Sequence, residues 1–199
     1  MTAVVAEGPL VDRFMPEQAV SRAAAEVGLI VFGTILLALS AKFQVPFWPV
    51  PMTLQTGVVA LLAAAYGLRL GVATVLLYLV EGAAGFPVFA SGGGLAYLAG
   101  PTGGFLIGFI PAAAIIGWAA ERIGKNLIAL FVAMIAGDAV VFLLGFVWLA
   151  WFAAMSSGAT GIGGAAAFTN GVAKFVLGDL VKLALAAALV SAGARLVRR

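Results

Sequence analysis

Long apolar stretches, separated by short clusters of glycine, proline and charged residues, make up most of the chain after residue 25. Because glycine, proline and charge mark the ends of helices, each apolar stretch predicts one helix. The predicted helices span Val27–Ala41, Met52–Tyr66, Gly71–Ala84, Gly103–Ala120, Leu127–Phe152 and Val172–Leu196. A helix needs about 20 residues to cross a bilayer, so the shorter ones are expected to tilt or to bury their ends in protein.

The composition, taken together with this pattern, indicates the fold class. Hydrophobic residues make up 64% of the 199 residues and charged residues 10%, against roughly half and a quarter in soluble domains. The sequence therefore predicts an all-α integral membrane protein, with residues 26–199 forming a bundle of six transmembrane helices. Residues 1–25 carry several charges and no apolar run. They are predicted to be a polar cytoplasmic lead-in rather than a secretory signal.

The distribution of basic residues predicts the orientation. One set of turns and both chain ends carry Arg13, Arg22, Arg69, Arg122, Lys125, Arg195, Arg198 and Arg199. The alternate loops carry only Lys42 and Lys174. Basic residues favour the cytoplasmic side, so both termini are predicted to be cytoplasmic and the number of helices to be even. The opposite loops are long and rich in aromatics, proline and glycine, so a functional mouth is expected on the external side.

Several function classes are excluded or disfavoured by what the sequence lacks. It contains no cysteine and no histidine, which excludes disulfides, thiolate chemistry and histidine-based metal sites. An intramembrane enzyme is disfavoured because a GxSxG motif is absent as well, and no cofactor is predicted. The basic residues are scattered rather than clustered, so the net charge of +3 does not indicate nucleic-acid binding. Without a Walker A motif, any coupling to ATP requires another protein.

The stretch KFVLGDLVKLALAAALV, residues 174–190, places Asp179 and Lys182 inside an apolar helix. Each charge at a helix centre costs about 2.5–3.5 kcal/mol to insert, and a spacing of three puts both side chains on one face. Asp179 is expected roughly 10 Å below the outer end of its helix. The pair is either a packing device or, as we favour, a neutral site for a ligand with adjacent N–H and C=O groups.

Two external segments offer further candidate residues. VPFWPVPMTLQT, residues 45–56, contains Trp48, which is either a lid aromatic or part of an interfacial belt. Thr53 and Gln55 follow it at the mouth of the second helix, where they could reach a ligand or simply mark the boundary. In residues 85–104, Phe89 and Tyr97 could supply apolar walls, and Gly93, within three consecutive glycines, would let the backbone approach a ligand. The alternative for that glycine run is a flexible connection.

Several motifs together resemble the BioY family, the biotin-binding S components of energy-coupling factor (ECF) transporters. They are PVPMTLQTGVVALLAAAYGLRLG, LYLVEGAAGFPVFASGGGLAYLAGPTGGFLIGF and GDLVKLALA. The resemblance implies a six-helix bundle that holds biotin beneath its external loops in a prokaryotic cell membrane. It also implies a transmembrane T component and two ABC ATPases as partners. Asp179 and Lys182 match the family's Asp-x-x-Lys, and Thr53 and Gln55 match the start of its second helix.

The chemistry of biotin is compatible with these residues. Its ureido group has two N–H donors and one carbonyl, so Asp179 can accept from the donors while Lys182 donates to the carbonyl. The thioether ring is apolar and suits aromatic walls. Lys174, Lys42 and backbone N–H groups near Gly92 are candidates for the carboxylate. A self-sufficient carrier, with Asp138, Glu81 and Asp179 as an ion or proton relay, is the alternative.

Overall fold

The computed structural model describes residues 8–124 and 126–197, which are mostly helical. A short 3-10 helix, Leu10–Phe14, precedes α1. The α-helices are α1 (Ala19–Lys42), α2 (Gln55–Ala83), α3 (Leu95–Ala99), α4 (Gly103–Ile123), α5 (Leu127–Trp151), α6 (Gly164–Phe168) and α7 (Val176–Val197). A π-helical turn, Thr169–Ala173, joins α6 to α7. Two short antiparallel strands, β1 (Gln44–Val45) and β2 (Met52–Thr53), lie between α1 and α2.

Five helical segments of the described chain are long and apolar enough to cross a membrane, whereas the sequence predicts six. They are α1, α2, α4, α5 and the continuous segment Gly164–Leu196. The difference lies in α2, which contains both the second and the third predicted helices. Three predicted starts also move. Helix α2 begins at Gln55 rather than at Met52, which lies in β2. Helix α1 begins at Ala19 rather than Val27, and helical structure precedes Val172. Part of the predicted polar lead-in is therefore helical.

The long helix α2 is sharply broken at Gly67 and folds back on itself. Gly67 has φ 78° and ψ −176°, a conformation that side-chain-bearing residues rarely adopt. A Cβ on Gly71 would lie 3.0 Å from the Cα of Ala63, whereas eight residues of straight helix would separate the two by about 12 Å. The two arms, residues 55–66 and 68–83, therefore pack side by side. They are joined by one residue instead of the predicted loop.

Helix α4 packs between this hairpin and α5 with very close backbone contacts. A Cβ on Gly117 would lie 2.6 Å from the backbone nitrogen of Leu68, and one on Gly108 would lie 2.9 Å from the Cα of Val141. Small residues permit such close approach between membrane helices. The core between the helices is apolar, with Ile116 and Met134 among its fully buried side chains.

One end of the bundle carries a cluster of charged residues, which we call the charged end: Asp12, Arg22, Glu26, Arg69 and Glu121. Glu26 of α1 pairs with Arg22 at 3.4 Å and with Arg69 at 2.7 Å, and Arg22 also pairs with Asp12 at 2.9 Å. Glu121 accepts a hydrogen bond of 2.8 Å from the backbone N–H of Leu68. The N-terminal segment, the hairpin turn and the end of α4 thus meet at the same end. Of the predicted cytoplasmic residues, Lys125, Arg198 and Arg199 lie outside the described residues.

Candidate functional site

A cavity of about 540 Å³, including its open mouth, lies at the other end of the bundle. The start of α2, the loop before α3, and helices α3, α4, α5 and α7 all contribute to it. Most of its lining is apolar or aromatic. The lining residues are Val50, Pro51, Thr53, Gln55, Thr56, Phe89, Ala90, Tyr97, Thr102, Phe105, Leu106, Phe109, Val141, Phe142, Phe175, Asp179 and Lys182.

The ion pair predicted on α7 is formed and faces this cavity. Lys182 and Asp179 are in direct contact, and their side chains are only 11% and 3% exposed. Thr56 donates a hydrogen bond of 3.2 Å to Oδ1 of Asp179, and Lys182 donates one of 2.8 Å to the backbone carbonyl of Thr53. Both charges are therefore compensated by α7 itself and by the start of α2. Such compensation is what a buried charge needs, because desolvation costs several kcal/mol per ion.

A hydrogen-bonded chain of polar groups leads away from the cavity. Thr53 donates to the side-chain carbonyl of Gln55 at 3.1 Å, and the amide nitrogen of Gln55 donates to the hydroxyl of Tyr78 at 2.7 Å. Tyr78 in turn donates to the backbone carbonyl of Val88 at 3.0 Å. The buried amide of Gln55 is thus oriented by partners on both sides, which fixes the polar surface that it presents to the cavity.

Aromatic side chains form much of the apolar wall. The rings of Phe89 and Tyr97 are stacked with centroids 5.1 Å apart, and Tyr78 meets Phe89 edge-on at 5.4 Å. Phe89 is fully buried because its ring packs over Gly82, where a Cβ would clash with it. Aromatic pairs at these separations add to the stability gained from burial alone. The two predicted wall residues, Phe89 and Tyr97, are both brought to the cavity.

Two of the predicted site residues are not part of the cavity lining. Trp48 is 70% exposed, in keeping with an interfacial aromatic. Gly93 packs against the backbone carbonyl of Phe86, where a Cβ would clash, so its closest neighbour is the loop itself. Thr53, Gln55, Phe89, Tyr97, Asp179 and Lys182 are the predicted residues that the structure brings together.

Several lining residues were missed by sequence reasoning. Thr56 lies one residue after Gln55 and contacts Asp179, but nothing in the local sequence indicates that its hydroxyl meets a side chain of α7. Phe105, Phe109 and Phe142 come from α4 and α5, where they read as ordinary apolar helix residues. Only the position of each side chain around its helix, which depends on tertiary packing, separates a cavity residue from a lipid-facing one.

The other membrane acids have different surroundings. Glu81 accepts a hydrogen bond of 3.1 Å from Thr34 of α1 and lies outside the cavity lining. Asp138 of α5 is 8% exposed and lines a smaller cavity of about 200 Å³, to which Thr56 also contributes. Among residues 8–124 and 126–197, no group of three acidic side chains is arranged to hold a metal ion.

Chemically, the cavity offers a donor, an acceptor and an amide in apolar surroundings. The pair of Asp179 and Lys182 is neutral overall, yet it presents both a carboxylate and an ammonium. A small ligand with an apolar body and adjacent N–H and C=O groups would satisfy both without bringing a net charge into the cavity.

Comparison with known proteins identifies the family of this chain. The sequence model of the BioY family matches residues 15–199. The chain belongs to the BioY family. The probable biotin transporter BioY of Pyrococcus horikoshii is 36% identical over 164 residues, which cover 82% of this chain and 92% of that protein. The biotin transporter BioY of Thermotoga maritima is 38% identical over 156 residues, or 77% and 86% of the two chains.

The fold of this BioY-family chain also matches a solved structure. That structure is the crystal structure of the S-component for biotin from an ECF-type ABC transporter, with a TM-score of 0.75. The match covers 92% of this chain and 95% of the other, at 21% sequence identity. At this level of identity the likeness establishes the fold, while the family assignment rests on the sequence match.

Proposed function

We propose that this BioY-family protein is the membrane-embedded biotin-binding subunit, the S component, of an ECF transporter. The observation that carries the proposal is the buried pair of Asp179 and Lys182, which faces an apolar cavity in a chain whose relatives are named biotin transporters. A carboxylate and an ammonium three residues apart match the donors and the acceptor of a ureido group. The cavity is lined mostly by apolar and aromatic side chains with a few polar groups among them, as small-molecule sites usually are.

Biotin would enter this site by exchanging partners with the ion pair. Its ureido N–H groups donate to Asp179, and its ureido carbonyl accepts from Lys182, so each charge keeps a partner throughout. Hydrogen bonds to charged groups are about twice as strong as those between neutral groups. The bicyclic ring then lies against the aromatic wall that contains Phe89 and Tyr97, where its apolar surface is removed from water.

The arrangement of the charged end supports the proposed topology of the transporter. We infer six spans, because each arm of the α2 hairpin packs along the bundle. Arg22 and Arg69 meet at the end opposite the cavity, and basic residues favour the cytoplasmic side. Residues 1–25 and both termini would then be cytoplasmic, in a prokaryotic cell membrane, and the cavity would open outward. Reporter fusions after Ser91 should read external, and those after Arg69 cytoplasmic.

Release of biotin into the cell requires partners under this proposal. The chain has no nucleotide-binding motif, so a transmembrane T component and two ABC ATPases would supply the work, with lipid around the remaining surface. We place the T component on α1, whose apolar window is only 22% buried within the protein. Near its charged end, Ala24 and Gly28 are exposed small residues, and a Cβ on Gly28 would meet no other atom within 4 Å. A partner helix can approach such a surface closely.

The direct test of the function is equilibrium binding of labelled biotin to the purified full-length chain without any partner. We expect saturable binding at one site per chain, with displacement by desthiobiotin, which keeps the ureido group but lacks the thioether. A simple aliphatic carboxylate of similar length should not displace the label. Absence of saturable binding, or displacement by the carboxylate alone, would contradict the proposal.

A further inference from the structure

Three successive backbone carbonyls beside the cavity are held by side chains from two different helices. The ammonium of Lys42, at the end of α1, donates to the carbonyl of Pro87 at 2.8 Å and to that of Phe89 at 2.5 Å. The hydroxyl of Tyr78, on the second arm of α2, donates to the carbonyl between them, that of Val88, at 3.0 Å. The bonds to Val88 and Phe89 are partly buried, and carbonyls withdrawn from water need such donors. The segment of residues 86–94 is therefore attached to both helices.

This attachment fixes one wall of the cavity. Phe89 carries one of the three held carbonyls, and Ala90 is the next residue along the chain. Both residues are buried and line the cavity. Within the segment, the N–H of Phe89 donates to the carbonyl of Gly92 at 3.0 Å, and the N–H of Gly94 reaches back to the carbonyl of Gly82 at 2.6 Å. If the segment moved away, the ring of Phe89 would leave the cavity with it.

Tyr78 also connects this wall to the polar part of the site. Its hydroxyl accepts from the amide of Gln55, a lining residue, while it donates to Val88. One buried hydroxyl thus satisfies a group in the ligand cavity and a group in the wall at the same time. Replacing it with hydrogen would leave the Gln55 amide and the Val88 carbonyl without this partner, and unpaired buried polar groups are costly.

We propose that Tyr78 and Lys42 are positioning residues that hold the 86–94 segment over the bound ligand and so set the rate at which the ligand leaves. This inference rests on the proposed biotin-binding function. The two side chains need not touch biotin, since their effect is transmitted through the position of Phe89. Weakening either attachment favours an open segment, which speeds dissociation, whereas association through the mouth changes little.

The test compares dissociation of labelled biotin from the purified full-length parent and its Tyr78→Phe and Lys42→Met variants. We expect dissociation to become roughly tenfold faster in each variant, with association rates within about twofold of the parent. Tyr66→Phe is the matched control, because Tyr66 also donates one hydrogen bond to a backbone carbonyl, that of Leu29 at 3.2 Å, away from the cavity lining. It should dissociate biotin at the parental rate.

Amide hydrogen exchange supplies a readout that general destabilisation would not reproduce. In both variants, exchange should rise in residues 86–94 while residues 112–120 of α4 keep the parental rate. Parental dissociation and exchange in Tyr78→Phe and Lys42→Met would overturn the inference, as would equal acceleration by Tyr66→Phe. If Tyr78→Phe does not fold, the Lys42→Met variant by itself tests the inference, because the side chain of Lys42 is exposed and its replacement should not prevent folding. If the parent does not bind biotin, the proposed function fails, and exchange in the ligand-free chain still tests the attachment.

Discussion

The two ends of the bundle both contain ion pairs, but the pairs lie in opposite environments. At the charged end, the side chain of Arg69 is 82% exposed and that of Glu26 is 15% exposed, and Arg22 and Asp12 are both more than 40% exposed. At the cavity end, Asp179 and Lys182 are 3% and 11% exposed. Exposed pairs contribute about 0–1 kcal/mol each, whereas buried charges cost several kcal/mol to desolvate.

This difference in exposure is consistent with different roles for the charges at the two ends. Charges at the exposed end remain hydrated, so they can orient the chain in the membrane at little cost to stability. The buried pair must instead be compensated by every neighbouring polar group, including Thr56 and the carbonyl of Thr53. Under the proposed function, a buried pair with that cost and that degree of support is kept because a ligand uses it. The two ends should therefore respond with different strength to the loss of one group.

The largest effect is expected from Lys182→Met. Removal of the ammonium leaves Asp179 buried without its counter-ion, which typically costs about 3–5 kcal/mol. The variant should be recovered poorly from membranes, and any folded fraction should not bind biotin. Size-exclusion profiles in detergent and thermal unfolding measure this. Lys174→Met is the matched control for folding alone, because the ammonium of Lys174 pairs with Asn170 at 2.7 Å on the exposed surface. If both variants fold equally well, the buried ammonium of Lys182 and the exposed ammonium of Lys174 do not differ in their importance for folding, and the comparison fails.

The next effect concerns uptake rather than binding. Ala24→Trp together with Gly28→Trp would place bulk on the exposed small face of α1 near the charged end. ATP-driven biotin uptake should be lost in cells that contain an ECF module, while binding to the purified chain stays parental. Leu143→Trp, on α5 and 58% exposed, is the control that should retain uptake. Uptake that survives the double variant would remove α1 as the docking surface.

A smaller effect is expected from Thr56→Val, which removes the hydroxyl that donates to Asp179 but keeps the shape of the side chain. A hydrogen bond to a charged group is worth about 1.5–3 kcal/mol, and this one is already made in the ligand-free protein. Its loss should lower the free energy of unfolding by about that amount, and the affinity for biotin by a smaller amount, because Asp179 is then less firmly held. Thr34→Val is the control, because Thr34 donates to Glu81 at 3.1 Å away from the cavity. Equal losses of affinity in the two variants would show that Thr56 has no specific role.

The smallest effect is expected at the charged end. Glu26→Gln removes the carboxylate that joins Arg22 to Arg69. Because the arginine side chains of these pairs are 46% and 82% exposed, the free energy of unfolding should change by about 1 kcal/mol or less, and the change should shrink further at high salt. Biotin affinity should not change. A loss of stability comparable to that of Lys182→Met would mean that exposure does not distinguish the two ends.

The sequence was sufficient to locate the charged groups that a membrane helix rarely buries without a functional reason. Two charged residues three positions apart in an apolar helix were predicted to share one face of that helix. The structure confirms that Asp179 and Lys182 are paired, and both line the cavity. The start of the second helix was predicted at Met52 rather than at Gln55, although Thr53 and Gln55 do line the cavity. The pair on α7 was predictable because the spacing along one helix alone determines that its two groups lie together.

Other features depended on packing that local sequence does not encode. The YGLRLG stretch predicts a turn between two helices, but only the structure reveals that Gly67 alone reverses the chain. Five long helical segments instead of six therefore result within the described residues. Trp48 and Gly93 had suitable chemistry in suitable loops, yet the loop geometry directs Trp48 to the exterior and packs Gly93 against Phe86. Thr56 can be recognised as a cavity residue only from the packing of α7 beside α2, which brings its hydroxyl to Asp179.

The most direct test of the account is the affinity of the purified chain for biotin before and after Asp179→Asn. The substitution keeps the size and shape of the side chain but removes the charged acceptor that we assign to the ureido N–H groups. At a cost of about 1.5–3 kcal/mol, the dissociation constant should rise about 10- to 150-fold, while Glu26→Gln at the other end leaves it unchanged. If Asp179→Asn binds biotin as tightly as the parent, the buried pair does not hold the ureido group and the central claim is wrong.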